Sequence, residues 1–281
     1  MIHINPFDLI ELAIALVFIF IAKILQDVIT KFDDDQELFT ADNPALGIAK
    51  ANYYLAILIS FRGLFMGEGL NGWLAIRDFC AYAALSLVLI NLSVIITDKL
   101  ILNRFKVYEL ICKDRNEGVA WALSGCYIGS ACILSGAISG DDIPLLDSFL
   151  EIGVYYMLGQ VILVASSKLY RVSNRDLHSA LADNNTSAGL SFAGFQAALG
   201  LILGSQAAGN MTLMKEDLFY FVCLSALAIV ILLLARRFIF RFIFASGISL
   251  RKEVSEDKNR AAGWIYALGS IGFALLLIEA L

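Results

Sequence analysis

Lys23 and Asp27 stand four residues apart within a run of apolar residues, and Lys50 and Asn52 stand early in the next run. An ionisable group in a membrane-spanning stretch is costly, so such residues are the first candidates for an ion path, a proton path or a charged-solute site. The four-residue spacing puts Lys23 and Asp27 on one helix face, where they can pair. Lys23, Asp27, Lys50 and Asn52 therefore form the candidate intramembrane polar site. The plainer reading is that each lysine lies near a membrane edge and extends its ammonium into the headgroup layer.

Reactive chemistry has little else to work with. His3 and His178 are the only histidines, and Cys80, Cys112, Cys126, Cys132 and Cys223 contain no CxxC pair. No metal-ligand spacing, phosphate-binding glycine loop, HExxH helix or GxSxG elbow occurs. No enzymatic activity, metal or cofactor is expected.

A second set of polar residues recurs along the chain. Asp42-Asn43, Asp114-Arg115-Asn116, Asp183-Asn184-Asn185 and Asp257-Lys258-Asn259 each lead into an apolar run, and the asparagines are 73, 69 and 74 residues apart. Asparagine is among the best helix N-caps, and Pro44 fits the first helical position after Asn43. The turns are thus predicted to cap four helices. A sharper alternative is that the four helix N-termini converge and present their amides to an anion, phosphate or lipid headgroup.

The elements that must position these groups follow from composition. With 59% hydrophobic residues and a mean hydropathy of +0.76, the chain is too apolar for a water-facing domain of its size. Apolar runs near 8–30, 45–66, 79–99, 118–138, 146–168, 186–208, 217–243 and 261–280 are each long enough for a membrane-spanning helix. They lack the strict alternation of an outer-membrane barrel. The predicted fold class is all-α: a polytopic membrane helix bundle of eight transmembrane helices, built from four parallel two-helix repeats. The first run has no basic residue before it and carries Lys23 and Asp27 near its far end, so it reads as a retained span rather than a secretory signal.

Basic residues set the expected orientation. The connections containing the asparagine turns carry Lys31, Lys99, Arg104, Lys106, Lys113, Arg115, Lys168, Arg171, Arg175, Arg236, Arg237, Arg241, Arg251, Lys252, Lys258 and Arg260, whereas the others carry only Arg62, Arg77 and Lys215. Cytoplasmic loops retain lysine and arginine. The turns are therefore expected in the cytoplasm and both termini outside, periplasmic or extracellular, in a bacterial inner (plasma) membrane. Glu68, Asp141, Asp142, Asp147, Glu216 and Asp217 gather at the opposite face and make the net charge of −5 a poor guide to partners. The expected partners are the lipid bilayer, with anionic lipids at the basic face, and a peripheral or membrane protein; a homo-oligomer is compatible, and nucleic acid is not implied.

The helix before each turn, here called A, is rich in Leu, Ile, Val and Phe. The helix after it, called B, has small residues four (Gly47, Ala120, Gly189, Gly263), eight (Ala51, Ser124, Ala193, Ala267) and thirteen (Ala56, Gly129, Ala198, Gly272) positions beyond the asparagine. Small residues on two faces let a helix pack between neighbours. All four B helices are accordingly expected inside, with the A helices facing lipid.

The turn Asp-Asn-Pro-Ala-Leu-Gly at 42–47 and the Lys-Asp-Arg-Asn-Glu-Gly-Val-Ala stretch at 113–120 resemble the YjfL-like bacterial inner-membrane family, a domain of unknown function. The resemblance implies a four-span membrane domain that often occurs in duplicate, with residues 1–140 as the first copy and 141–281 as the second. It also implies an envelope setting, since such genes often stand beside envelope-stress or polyamine-related genes. The functional expectation is a membrane-embedded scaffold or sensor module without enzymatic activity; the alternative is an ion channel or small-solute transporter.

Overall fold

A computed structural model describes residues 6–29, 34–66, 72–140, 143–209, 211, 214–239 and 249–280. His3, Lys31, Glu68, Asp141, Asp142 and Arg241 lie outside these residues. The described residues contain helices and no strands. Among the described residues, eight helices are long and apolar enough to cross a membrane. The A helices are α1 (Pro6–Ile29), α4 (Trp73–Ile96), α7 (Leu145–Ser173) and α10 (Met214–Leu234). The B helices are α3 (Pro44–Arg62), α6 (Glu117–Ile138), α9 (Thr186–Gln206) and α12 (Arg260–Ala280). Single wide turns, Thr97–Ile101 and Ala235–Ile239, extend α4 and α10.

Between each A helix and its B helix lies a six-residue helix: α2 (Asp34–Phe39), α5 (Val107–Cys112), α8 (Leu177–Ala182) and α11 (Leu250–Ser255). These replace the plain polar turns expected from sequence. Six residues span less than two turns, so no apolar periodicity reveals them, and isolated helices this short are not stable on propensity. Packing holds them, with Val107, Ile111 and Cys112 buried in α5 and Leu177, Ala180 and Leu181 in α8.

The B helices form a row in the order α3, α6, α9, α12. Neighbours run in the same direction, because matched positions advance together: Gly118 lies against Asn185, Gly125 against Ala193 and Gly136 against Gly204. Gly194 lies against Ala267 in the same way, and Gly63 against Ser135. Each A helix from α4 onward lies along a seam, α4 on α3 and α6, α7 on α6 and α9, and α10 on α9 and α12.

Small residues set the spacing of this row. A Cβ added to Gly136 would fall 1.8 Å from the Gly204 carbonyl oxygen, and one added to Gly200 would fall 2.2 Å from the Gly129 Cα. Backbone meets backbone, which is how helices gain van der Waals contact when lipid provides no hydrophobic drive between them. The contact between α6 and α9 crosses residues 140 and 141 and is the most extensive in the protein.

Only two B helices are fully interior. Protein buries 83% of the apolar stretch of α6 and 94% of that of α9, but 50% of α3 and 33% of α12, so the expectation that all four lie inside is corrected. A row has two ends, and each end helix can pack on one side alone. The difference appears residue by residue: Ala56, Gly129 and Ala198 are buried, whereas the corresponding Gly272 is exposed with nothing within 4 Å of an added Cβ.

Candidate functional site

Each asparagine turn is built the same way. The short helix ends, the next residue takes a left-handed conformation, and the asparagine follows. The left-handed residues are Asp42, Arg115, Asn184 and Lys258, with φ of 49°, 49°, 51° and 51°. Asp and Asn tolerate this region, whereas Arg and Lys accept a steric cost, so the local geometry is imposed by the packing around it. The backbone amides of Asn43, Asn116, Asn185 and Asn259 then bond back to the carbonyls of Glu37, Leu110, Ala180 and Glu253. This closes the end of the short helix in a Schellman-like manner.

The asparagine side chains work in two directions. Their oxygens accept from amides in the first turn of the B helix: Asn43 from Leu46 at 3.1 Å, Asn116 from Val119 at 2.8 Å, Asn185 from Ala188 at 3.0 Å and Asn259 from Ala261 at 3.0 Å. Their amide nitrogens reach into the next unit. Asn43 donates to the Ile111 and Cys112 carbonyls at 3.0 and 3.2 Å, Asn116 to Leu181 at 2.7 Å and Asn185 to Val254 at 2.8 Å. Each carbonyl belongs to the end of a short helix about one unit further along the chain. Asn259 instead donates to Glu253 of its own unit at 2.9 Å and is exposed, while Asn43, Asn116 and Asn185 are 2%, 1% and 0% exposed. Asp42, Asp114, Asp183 and Asp257 face outward.

Further contacts tie the turns across the row. Glu117 accepts from Thr186 at 3.3 Å and pairs with Arg260 at 3.1 Å, and the Trp121 and Trp264 rings lie 5.2 Å apart. The starts of α6 and α12 thus meet across the start of α9, and packing against α6, α7, α10 and α12 along its length accounts for the burial of α9.

The four residues of the candidate polar site divide into three settings. Lys50 is buried and forms an ion pair with the buried Asp34 of α2, and its ammonium also donates to Gln26 of α1 at 2.5 Å. Lys23 pairs with Asp27 at 3.9 Å and with Asp35 at 3.3 Å, where all three side chains are largely exposed. Asn52 donates to the Ile48 carbonyl of its own helix at 2.8 Å. The structure therefore brings Lys50 to Asp34 and Gln26, and Lys23 to Asp27 and Asp35, at neighbouring places beside the end of α1. Asp34 was missed in the sequence although an acidic run, Asp33-Asp34-Asp35, stands just ahead of the first turn. Tyr108 of the second unit also donates to Asp34 at 3.4 Å.

Arg236 is a second buried cation that sequence spacing does not single out. It lies in the wide turn after α10 and donates to the Ser191 carbonyl at 3.0 Å, the Ser191 hydroxyl at 2.6 Å and the Tyr170 hydroxyl at 2.9 Å. Its guanidinium also lies 4.8 Å from the Tyr170 ring centre and 4.4 Å from that of Tyr266. Three acceptor oxygens and two π faces satisfy the charge, and they join α7, α9 and α12 to the end of α10.

Two titratable groups beside the turns have displaced proton affinities. Burial, then the charges of Asp34 and Glu37, push the Cys112 thiol up to about 11, only partly offset by Lys50. Burial, then the positive charges of Arg171 and Arg104, hold His178 below the ordinary value for an imidazole. His178 Nε2 lies 2.8 Å from an Arg171 nitrogen; the arginine can only donate, so the proton of the neutral ring is on Nδ1. Among the described residues, no three His, Cys, Asp or Glu side chains group as a metal site.

The arrangement is that of a multi-pass membrane protein whose polar groups at the turn end connect helices to one another. No curated protein and no solved structure matches the chain. A family model described as a Domain of Unknown Function (DUF350) matches residues 6–138, 65–171 and 144–281. The three matches overlap and together extend over nearly all of the helical row just described, and the chain belongs to the DUF350 family.

Proposed function

We propose that this protein is a membrane-embedded scaffold or sensor module of envelope physiology, without enzymatic activity, in the bacterial inner (plasma) membrane. The observation that supports the scaffold reading is the fit of α6 on α9. Glycines at 125, 129, 136, 200 and 204 put backbone against backbone, leaving no room between these helices for a path. The asparagine side chains likewise bond other parts of the same protein. In this reading the turns face the cytoplasm, where their basic residues meet anionic lipids and a peripheral or membrane protein partner. Both termini lie on the other side.

The transporter or channel reading rests on one observation, the buried Lys50–Asp34 pair beside Gln26 at the end of the first span. Flux through purified protein in liposomes distinguishes the two. The scaffold reading expects no conductance or uptake of common ions and small solutes, together with a membrane or peripheral protein recovered by affinity capture from intact membranes. Flux that changes in Lys50→Met would replace it with the transport reading. Labelling of single cysteines, on a cysteine-free background, tests orientation: positions near Asn116 and Asn259 should react only after the inner face is opened.

A further inference from the structure

The row of B helices ends in two exposed faces, and these lie at the same register positions as the joints inside it, with Leu268 and Leu58 in place of the glycines of the α6–α9 joint, so that a further joint there is a wider one. At the α6–α9 joint, positions two, nine and thirteen beyond one asparagine meet positions on the next helix between that helix's own asparagine and fifteen beyond it, and at the α9–α12 joint Ser187 and Gly194, two and nine beyond Asn185, meet Gly263 and Ala267. Gly118 meets Asn185, Gly125 meets Ala193, and Gly129 meets Gln196 and Gly200. On α12 the corresponding outward positions are Ala261, Leu268 and Gly272, all exposed, with Leu268 60% exposed. On α3 the corresponding receiving positions include Gly47, Ala51 and Leu58. An added Cβ on Gly47 meets only Leu38, at 3.8 Å, and Ala51 and Leu58 are exposed.

The polar parts of the joint follow the same rule. Internal asparagines donate to carbonyls four or five residues before the next asparagine, as Asn43 does to Ile111 and Cys112. Asn259 is exposed at one end of the row. Leu38 and Phe39 carry the equivalent carbonyls at the other end, with Phe39 80% exposed. We propose that a second copy of this chain docks head to tail, the α12 face of one copy against the α3 and α2 face of the next, continuing the row of B helices within the plane of the membrane.

Such an interface is heterologous: it closes into a ring if the rotation per copy permits, and otherwise grows as an open array. The inference goes beyond the scaffold reading and does not depend on it, since a transporter can assemble in the same way.

The test is disulfide trapping in native membranes between two differently tagged copies on a cysteine-free background. One copy carries Leu268→Cys and the other Ala51→Cys, the positions equivalent to Gly125 and Ala193, which face each other across the α6–α9 joint; the wider joint that Leu268 requires leaves room for the bond. A mixed-tag dimer is expected. Adding Gly272→Leu to the first copy should lower its yield on the order of tenfold by overpacking the joint. The same change should leave the melting temperature of the monomer in detergent unaltered, because nothing lies within 4 Å of that position. The proposal is overturned by cross-linking no greater than that of a lipid-facing Leu16→Cys control, by dimers formed from Leu268→Cys copies alone, or by a dimer yield that Gly272→Leu does not change.

Discussion

The side-chain amide of Asn116 donates to the Leu181 carbonyl at 2.7 Å, joining the start of α6 to the end of α8 across 65 residues of chain. The oxygen of the same side chain accepts from Val119 at 2.8 Å. One residue therefore caps its own helix and fastens the neighbouring unit. A cap contributes about 1 kcal/mol and an interhelical hydrogen bond in a membrane protein roughly 0.6 kcal/mol.

Those two roles can be separated. Asn116→Ala removes both and should cost about 1.5–3 kcal/mol, since the desolvated Leu181 carbonyl also loses its donor. Asn116→Asp keeps the acceptor and loses the donor, so it should retain the cap and fall between wild type and alanine. Asn259→Ala should cost less than Asn116→Ala, because the exposed Asn259 reaches only Glu253 of its own unit. Thermal unfolding in detergent measures the order; a larger loss for Asn259→Ala would contradict the interlocking role.

Packing in the centre of the row gives a second expectation. A Cβ on Gly189 would lie 2.1 Å from the Gly118 carbonyl oxygen, and one on Gly263 would lie 2.8 Å from Ser187. Gly189→Leu and Gly263→Leu should each destabilise by at least about 1–3 kcal/mol, with Gly189 the worse. Leu16→Phe, on the 61% exposed lipid side of α1, should have little effect. Melting temperatures in detergent that fail to separate the glycine variants from Leu16→Phe would rule out this packing order.

The two lysines of the first unit should behave differently. Lys50→Ala leaves the buried Asp34 without its cation and should cost about 3–5 kcal/mol, whereas the double variant Lys50→Met with Asp34→Leu should recover most of that loss. Lys23→Ala should cost less than about 1 kcal/mol, because its pairs with Asp27 and Asp35 are exposed. For the same reason Asp27→Ala should be mild, as Lys23 keeps Asp35. Unfolding midpoints of the four variants check the ranking.

Acidification should act through His178. Its folded pKa lies below the ordinary 6.5, so under mildly acidic conditions the unfolded chain binds a proton that the folded protein does not. The corresponding stability is fully present above about 6.5 and declines as pH falls from there towards the folded pKa. Stability profiles of the wild type and His178→Phe should diverge in slope within that interval and run parallel above pH 7. Parallel profiles throughout would remove His178 as the cause.

Cys112 should be a poor nucleophile. With its thiol pushed up to about 11, almost none is thiolate at neutral pH. In detergent, maleimide should label the exposed Cys223 well before Cys112, as mass spectrometry of the two peptides can follow. Lys50→Met should slow Cys112 further, because the lysine charge is what partly offsets the rise.

What was legible in the sequence is whatever local chemistry dictates. Eight spans follow from runs of apolar residues that water would not accept, and the caps at Asn43, Asn116, Asn185 and Asn259 follow from a side chain able to satisfy amides two or three residues ahead. Tertiary structure alone decided the rest. The short helices exist because Val107, Ile111 and Leu181 are buried by distant parts of the chain, and six residues carry no periodic signal of that. Lys50 meets Asp34 instead of Lys23 or Asp27 because α2 folds back against α3, a relation that depends on packing rather than spacing. The small-residue pattern is nearly the same in α9 and α12, yet one is interior and the other ends the row. A pattern of glycine and alanine permits close approach, but which face receives a neighbour depends on where the helix stands in the row.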